Sequence, residues 1–107
     1  MTVEFQLFGQ NFVGLNGGPI FKFTEALSLV VNCRTQREVD YYWEKLSADG
    51  GKKGQCGWLK DKYGLSWQVV PRVLSLLMQD KDPGVRSGVT SRMLKMKKLV
   101  ISELKGA

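Results

Sequence analysis

The spacing of apolar residues changes period along the chain, and each change marks an element. Val3–Phe8 and Asn11–Asn16 have the two-residue alternation of strands and flank Gly9-Gln10, where a leading Gly suits a type II′ hairpin turn. Pairing across that turn sets Leu7 opposite Phe12 and Phe5 opposite Gly14, so Phe5, Leu7, Phe12 and Asn16 share a face. Asn16-Gly17-Gly18-Pro19 ends the hairpin, and Ile20-Phe21-Lys22-Phe23 reads as a short extended piece with its aromatics at a rim. Ala26–Cys33 alternates again. Leu27, Leu29, Val31 and Cys33 form an apolar face, and Ala26, Ser28, Val30 and Asn32 a mixed one. The period then becomes helical. Thr35 is an N-cap with Glu38 three residues on, and Val39, Tyr42, Trp43 and Leu46 make one stripe before Gly50-Gly51.

A strand feeding a helix whose stripe turns back onto a sheet is a βα unit. The stretch from Gln55 to Pro71 extends that sheet as a hairpin, with Cys56–Lys60 and Leu65–Val70 joined by Asp61-Lys62-Tyr63-Gly64. Closure between Asp61 and Gly64 places Trp58 opposite Trp67 and Gly57 opposite Gln68. The two indoles then share a core face, and Gly57, Leu59, Ser66 and Gln68 the other. Beyond Pro71, Val73–Met78 predicts a helix of about two turns, Asp82-Pro83-Gly84 interrupts, and Val85, Val89, Met93 and Met96 recur at helical spacing.

Composition narrows the functional classes. A chain of 107 residues is one domain, and its net charge of +6 is concentrated in residues 72–107, which hold eight basic and three acidic side chains. Scattered Lys and Arg on a short helix usually form a solvated face, which makes nucleic acid a disfavoured partner. Two cysteines are too few for a disulfide framework, no apolar run is long enough to span a bilayer, and the opening MTVEFQL lacks the pattern of a signal peptide. A cytoplasmic location is the expectation. Histidine is absent, which removes the commonest metal ligand and general base together. Cys33 reads as a small buried hydrophobe and Cys56 as an incidental thiol with no His to activate it. The Gly pairs are not followed by the Lys-Ser/Thr and helix that a phosphate loop needs.

NGGPIFKF (16–23), ALSLVVNC (26–33), EVDYYWEKL (38–46) and QCGWLKDKYGLSWQVVP (55–71), in that order, resemble the PhnB-like family. That family is also labelled 3-demethylubiquinone-9 3-methyltransferase-like, within the vicinal oxygen chelate (glyoxalase/bleomycin resistance/dioxygenase) superfamily. The similarity runs from about Thr2 to Pro71, with a looser echo at 93–104. The resemblance implies paired βαβββ modules whose curled sheets enclose a pocket, usually at or near a dimer interface. It implies no S-adenosylmethionine fold, and no Gly-rich loop for that cofactor is present. Metal-using members of the superfamily place His and a carboxylate at positions that fall here on Ala26 and Gln68, so no metal site and no cofactor are expected.

The expected fold is α+β, with a curled, mostly antiparallel sheet, a packing helix and C-terminal helices. Residues 1–25 would be the remnant of a first module that lacks its opening strand and helix, 26–71 the second module, and 72–107 a helical segment. The expected function is metal-independent binding of an unidentified small molecule, with catalysis left open. Asn16, Phe21, Phe23, Ser28, Leu59 and Gln68 would line the pocket. A homodimer is expected, closing the edge left open near residues 3–16. The other reading is a structural or regulatory dimer whose basic C-terminal helix binds an acidic partner such as nucleic acid.

Overall fold

A computed structural model describes residues 1–15, 17–19 and 22–106. It is an α+β structure with two separate sheets. β1 (Thr2–Leu7) and β2 (Gln10–Leu15) form an antiparallel hairpin. β3 (Ser28–Cys33), β4 (Lys52–Lys53), β5 (Trp58–Lys60) and β6 (Ser66–Pro71) form a four-stranded sheet in the order β3-β6-β5-β4. β3 and β6 are parallel, while β6–β5 and β5–β4 are antiparallel. The parallel pair requires a crossover, and α1 (Gln36–Leu46) lies on it.

α1 forms where the stripe predicts it. The Thr35 side chain accepts from the Glu38 backbone N–H at 3.2 Å, and Val39 and Trp43 turn inward. They pack on Val31, Cys33, Leu59 and Val69, with Tyr42, Leu46 and Trp67 at the margin. The helix residues of this core pack on one side of the sheet only.

The C-terminal third builds its own core. α2 (Arg72–Leu77), α3 (Pro83–Met93) and α4 (Ile101–Leu104) enclose Val89, Leu99 and Leu104, with Leu74, Leu77, Val85, Met93 and Met96 around them. Asp82 caps α3 by accepting from Gly84 N at 2.8 Å. Backbone bonds tie this unit to the sheet: Cys56 N donates to Met96 O and Gly57 N to Lys97 O, both at 2.8 Å. The Gln36 amide clamps the same segment, donating to Leu99 O at 3.1 Å and accepting from Ile101 N at 2.7 Å.

Several expectations need correction. The N-terminal hairpin turns at Phe8-Gly9 instead of Gly9-Gln10, so Phe5 faces Phe12 and Leu7 faces Gln10. Phe8 and Gly9 both have positive φ, 51° and 78°, the requirement of a type I′ turn. The shift of two keeps Phe5, Leu7 and Phe12 on one face, and the Phe5 and Phe12 rings stack at 5.5 Å. The strand expected from Ala26 begins at Ser28, because Ala26 N donates to the Thr24 hydroxyl in a turn. The second hairpin is offset by one residue. Asp61 pairs with Leu65 around a three-residue loop ending in Gly64 at φ 88°, which sets Trp58 opposite Gln68 and Leu59 opposite Trp67. The two indoles therefore lie on opposite faces, and Leu59 joins the core. The Val85, Val89, Met93 and Met96 stripe packs within its own chain. The two-residue β4 and the single-turn α4 carry no periodicity to read.

Candidate functional site

Two rows of side chains cross the helix-free face of the four-stranded sheet. Pairing places Ser28, Ser66, Lys60 and Lys52 in one row, and Val30, Gln68 and Trp58 in the next. Between the rows, Gln68 Nε2 donates to Ser28 Oγ at 3.0 Å, bridging the parallel strands β6 and β3. Val30 beside them is 52% exposed, and Trp58 is half-buried. The surface is thus mixed, with two serines and two lysines in one row and Gln68 between the apolar Val30 and Trp58 in the next.

Two hollows flank the row of lysines. One of about 420 Å³ is bordered by Glu25, Lys52, Lys53, Gly54, Trp58, Leu59, Lys60 and Ser66. The other, about 710 Å³, lies between Leu15, Gly17, Gly18, Lys22, Phe23, Lys60, Tyr63 and Gly64. Lys60 borders both, and its Nζ sits 2.6 Å from Glu25 Oε1. That bond and the lysine's charge hold the Glu25 carboxyl below its ordinary value.

Of the residues expected to line a pocket, Ser28 and Gln68 meet on the open face, and Phe23 borders the larger hollow. Leu59 touches the smaller hollow, but its side chain is 2% exposed and belongs to the helix side, because of the one-residue offset. Asn16 and Phe21 lie outside the described residues. Trp58, Lys52, Lys60 and Glu25 also border the hollows and were not among the expected residues, while Ser66 was placed on the face opposite the core but not among the pocket residues. The signal for Trp58 was Asp61 itself: its Oδ1 accepts from Tyr63 N and Leu65 N, the turn-forming habit of Asp that lengthens the loop and shifts the register.

Chemically, the face can orient and bind. Ala26 has no ligating atom, and the amide of Gln68 is engaged by Ser28, so these two positions do not make a transition-metal donor set. Among the described residues no three His, Cys, Asp or Glu side chains come together. Cys33 is fully buried, and burial, with a contribution from Glu38, pushes its thiol up to about 11, far from a nucleophile's range. Three of the eight basic side chains of residues 72–107 have partners within the chain. Arg92 donates to Leu104 O at 2.9 and 3.2 Å, Arg86 to Asp80 O at 2.6 Å, and Lys98 pairs with Asp40 at 2.9 Å. Among the described residues no helix is long and apolar enough to cross a membrane.

The family described as 3-demethylubiquinone-9 3-methyltransferase matches residues 1–70. Among solved structures, the chain is similar to a PhnB protein from Bacillus cereus, described as a candidate 3-demethylubiquinone-9 3-methyltransferase. The two share 35% identity with a TM-score of 0.60, and the match covers 66% of this chain and 64% of the other. No curated protein matches. The strand order β3-β6-β5-β4 around α1 is a complete βαβββ module of the vicinal oxygen chelate type that the resemblance implies. The chain belongs to the PhnB-like, 3-demethylubiquinone-9 3-methyltransferase-like family.

Proposed function

We propose that this protein binds a small molecule, without a metal, on the helix-free face of its βαβββ sheet, and that a second copy of the chain completes the pocket. The observation that carries the reading is the Gln68–Ser28 hydrogen bond, set among exposed or half-exposed apolar side chains where no helix covers the sheet. A polar pair fixed in this way supplies direction, and Val30, Trp58 and Phe23 supply apolar contact. Exposed apolar residues of the β1–β2 hairpin, Val3, Phe5, Leu7, Val13 and Leu15, supply the surface for the second copy. Binding of the basic C-terminal segment to an acidic partner is less supported, since Arg86, Arg92 and Lys98 already have partners in the chain.

The family description names a methyltransferase, and the residues here do not fit its usual cofactor, S-adenosylmethionine. The strand-to-helix turn, where a nucleotide-type cofactor would need glycines, is Arg34-Thr35. The glycines of the sheet are filled by backbone instead. A Cβ on Gly51 would lie 2.6 Å from Ser47 O, and one on Gly54 2.9 Å from Trp58 O. No step through that cofactor is derived.

The test uses N-phenyl-1-naphthylamine, a neutral dye with a flat apolar body and one N–H donor. Saturable fluorescence enhancement is expected with wild type, weakened about three- to tenfold by Gln68→Ala, the size of one lost neutral hydrogen bond. Val30→Lys should abolish it, and neither change should alter the far-ultraviolet circular dichroism. Enhancement that is non-saturable or unaffected by both changes would move the site elsewhere.

A further inference from the structure

The smaller hollow holds a hydroxyl with nothing to bind. Ser66 stands in β6 between Ser28 of β3 and Lys60 of β5, and it is 1% exposed. Its Oγ has no hydrogen-bond partner among the described residues. A buried unpaired hydroxyl disfavours the folded state and calls for a partner that comes from outside the chain. Ser66 borders the hollow, so that partner has a place to sit.

The charges around the hollow are unequal. Lys52, Lys53 and Lys60 border it, against the single carboxylate of Glu25. Lys60 is held by Glu25, and Lys53 is drawn to the helix side by Glu44 at 3.1 Å. For Lys52 no carboxylate lies within ion-pair distance among the described residues. Lys52 and Ser66 share a row two strands apart, roughly 10 Å between backbones by strand spacing. Lys60 stands between them in that row, its ammonium on Glu25, and the hollow opens beside all three. The Trp58 indole, in the next row, borders the same hollow and offers a flat apolar wall.

We propose that this hollow takes a small carboxylate or phosphate monoester carried on a flat apolar body. The anion accepts from Lys52 Nζ and Ser66 Oγ, and the body lies against Trp58. This rests on the reading of the open face as a binding site, and adds the ligand's charge and the atoms that recognise it.

Benzoate, phenyl phosphate and the neutral benzamide are the probes, each titrated into isotope-labelled protein and followed by backbone amide shifts. Saturable shifts at Lys52, Trp58, Lys60 and Ser66 are expected with the two anions, and binding of benzamide about tenfold weaker, the loss of one charge-assisted bond. Lys52→Gln should weaken the anions to the level of benzamide. Ser66→Ala should weaken them too, while raising the melting temperature of the free protein, because it deletes the unpaired hydroxyl. A purely structural Ser66 would give the opposite sign in the melt. Equal binding of benzamide and benzoate, insensitive to Lys52→Gln, overturns the anion site and leaves the small-molecule reading standing. Anion shifts centred on Lys95–Lys98 overturn it as well. No saturable shift with any probe, together with no dye binding, overturns both.

Discussion

Gly57 joins the sheet to the C-terminal unit, and only a residue without a side chain fits there. Its φ is 83°, and a Cβ would lie 2.9 Å from Val69 O and 3.0–3.1 Å from the Leu99 side chain. Its carbonyl accepts from Val69 N and its N–H donates to Lys97 O, both at 2.8 Å. Gly57→Ala is therefore expected to cost about 2–4 kcal/mol, combining left-handed strain with a clash that backbone cannot relieve. Urea denaturation checks this, and a loss below about 0.5 kcal/mol would contradict it. Cys33 gives a second prediction at this scale. Its thiol resists ionisation until about 11, against 9.0 for the unfolded group. Its contribution is whole below pH 9.0 and drains away as pH rises towards about 11, because the unfolded chain loses the proton first. Wild type should lose about 2 kcal/mol relative to Cys33→Ala between pH 7.5 and 10.5, at about 1.4 kcal/mol per pKa unit. Denaturant midpoints of the two proteins at both pH values measure it. The burial of Cys33 was plain from alternation, since it stands two residues from Val31 on the apolar face. The role of Gly57 was hidden, because its neighbours Val69 and Leu99 are distant in sequence.

Asp61 organises the second hairpin. Its Oδ1 accepts from Tyr63 N at 2.9 Å and Leu65 N at 3.0 Å, and its Oδ2 accepts from Trp67 Nε1 at 2.9 Å. Asp61→Ala removes all three acceptors at once and is expected to destabilise by about 2–3 kcal/mol, since bonds to a carboxylate are stronger than neutral ones. Asp61→Asn should recover part of this. Thermal melts of the three proteins test the order, and an Ala variant as stable as Asn would refute it. The same turn explains what could be read at this scale. Element type was legible wherever a period ran long enough: the α1 stripe, the β3 alternation, and the aromatic-rich runs of the hairpin. Register was not, because the expected two-residue loop between Asp61 and Gly64 and the observed three-residue loop between Asp61 and Leu65 are told apart by the side-chain bonds Asp61 makes. One residue of offset exchanged the faces of Trp58 and Leu59. Gln68 and Ser28 kept their place on the open face, since their polarity had marked it from both strands.

The whole molecule is elongated, 51 × 27 × 24 Å, and holds two cores with a hairpin beside them. The β1–β2 hairpin has at most marginal contact with the other elements. An isolated two-stranded hairpin that exposes Val3, Leu15 and Phe8 is marginal in water. A homodimer burying roughly 2,000 Å² or more in total is the expected state. Light scattering should give twice the chain mass, and the melting temperature should fall on dilution. A concentration-independent melt of a monomer would contradict it. No single-chain pattern distinguishes a surface awaiting a second copy from a core, so in the sequence the dimer is an expectation that leans on the family resemblance. The parallel pairing of β3 with β6 has a further consequence, in time. β3 is at the sheet's edge, and its ladder partner is the last strand of the module. A ribosome that has not yet delivered Ser66–Pro71 therefore exposes a chain in which Leu29, Val31 and Cys33 have α1 above them but no strand beside them. Loop closure across the whole module must precede that pairing, and non-local closure of this kind is slow. The nascent half-module is thus the species that exposes apolar surface and an unpaired edge, and the step that completes the open face is also the one that ends this exposure.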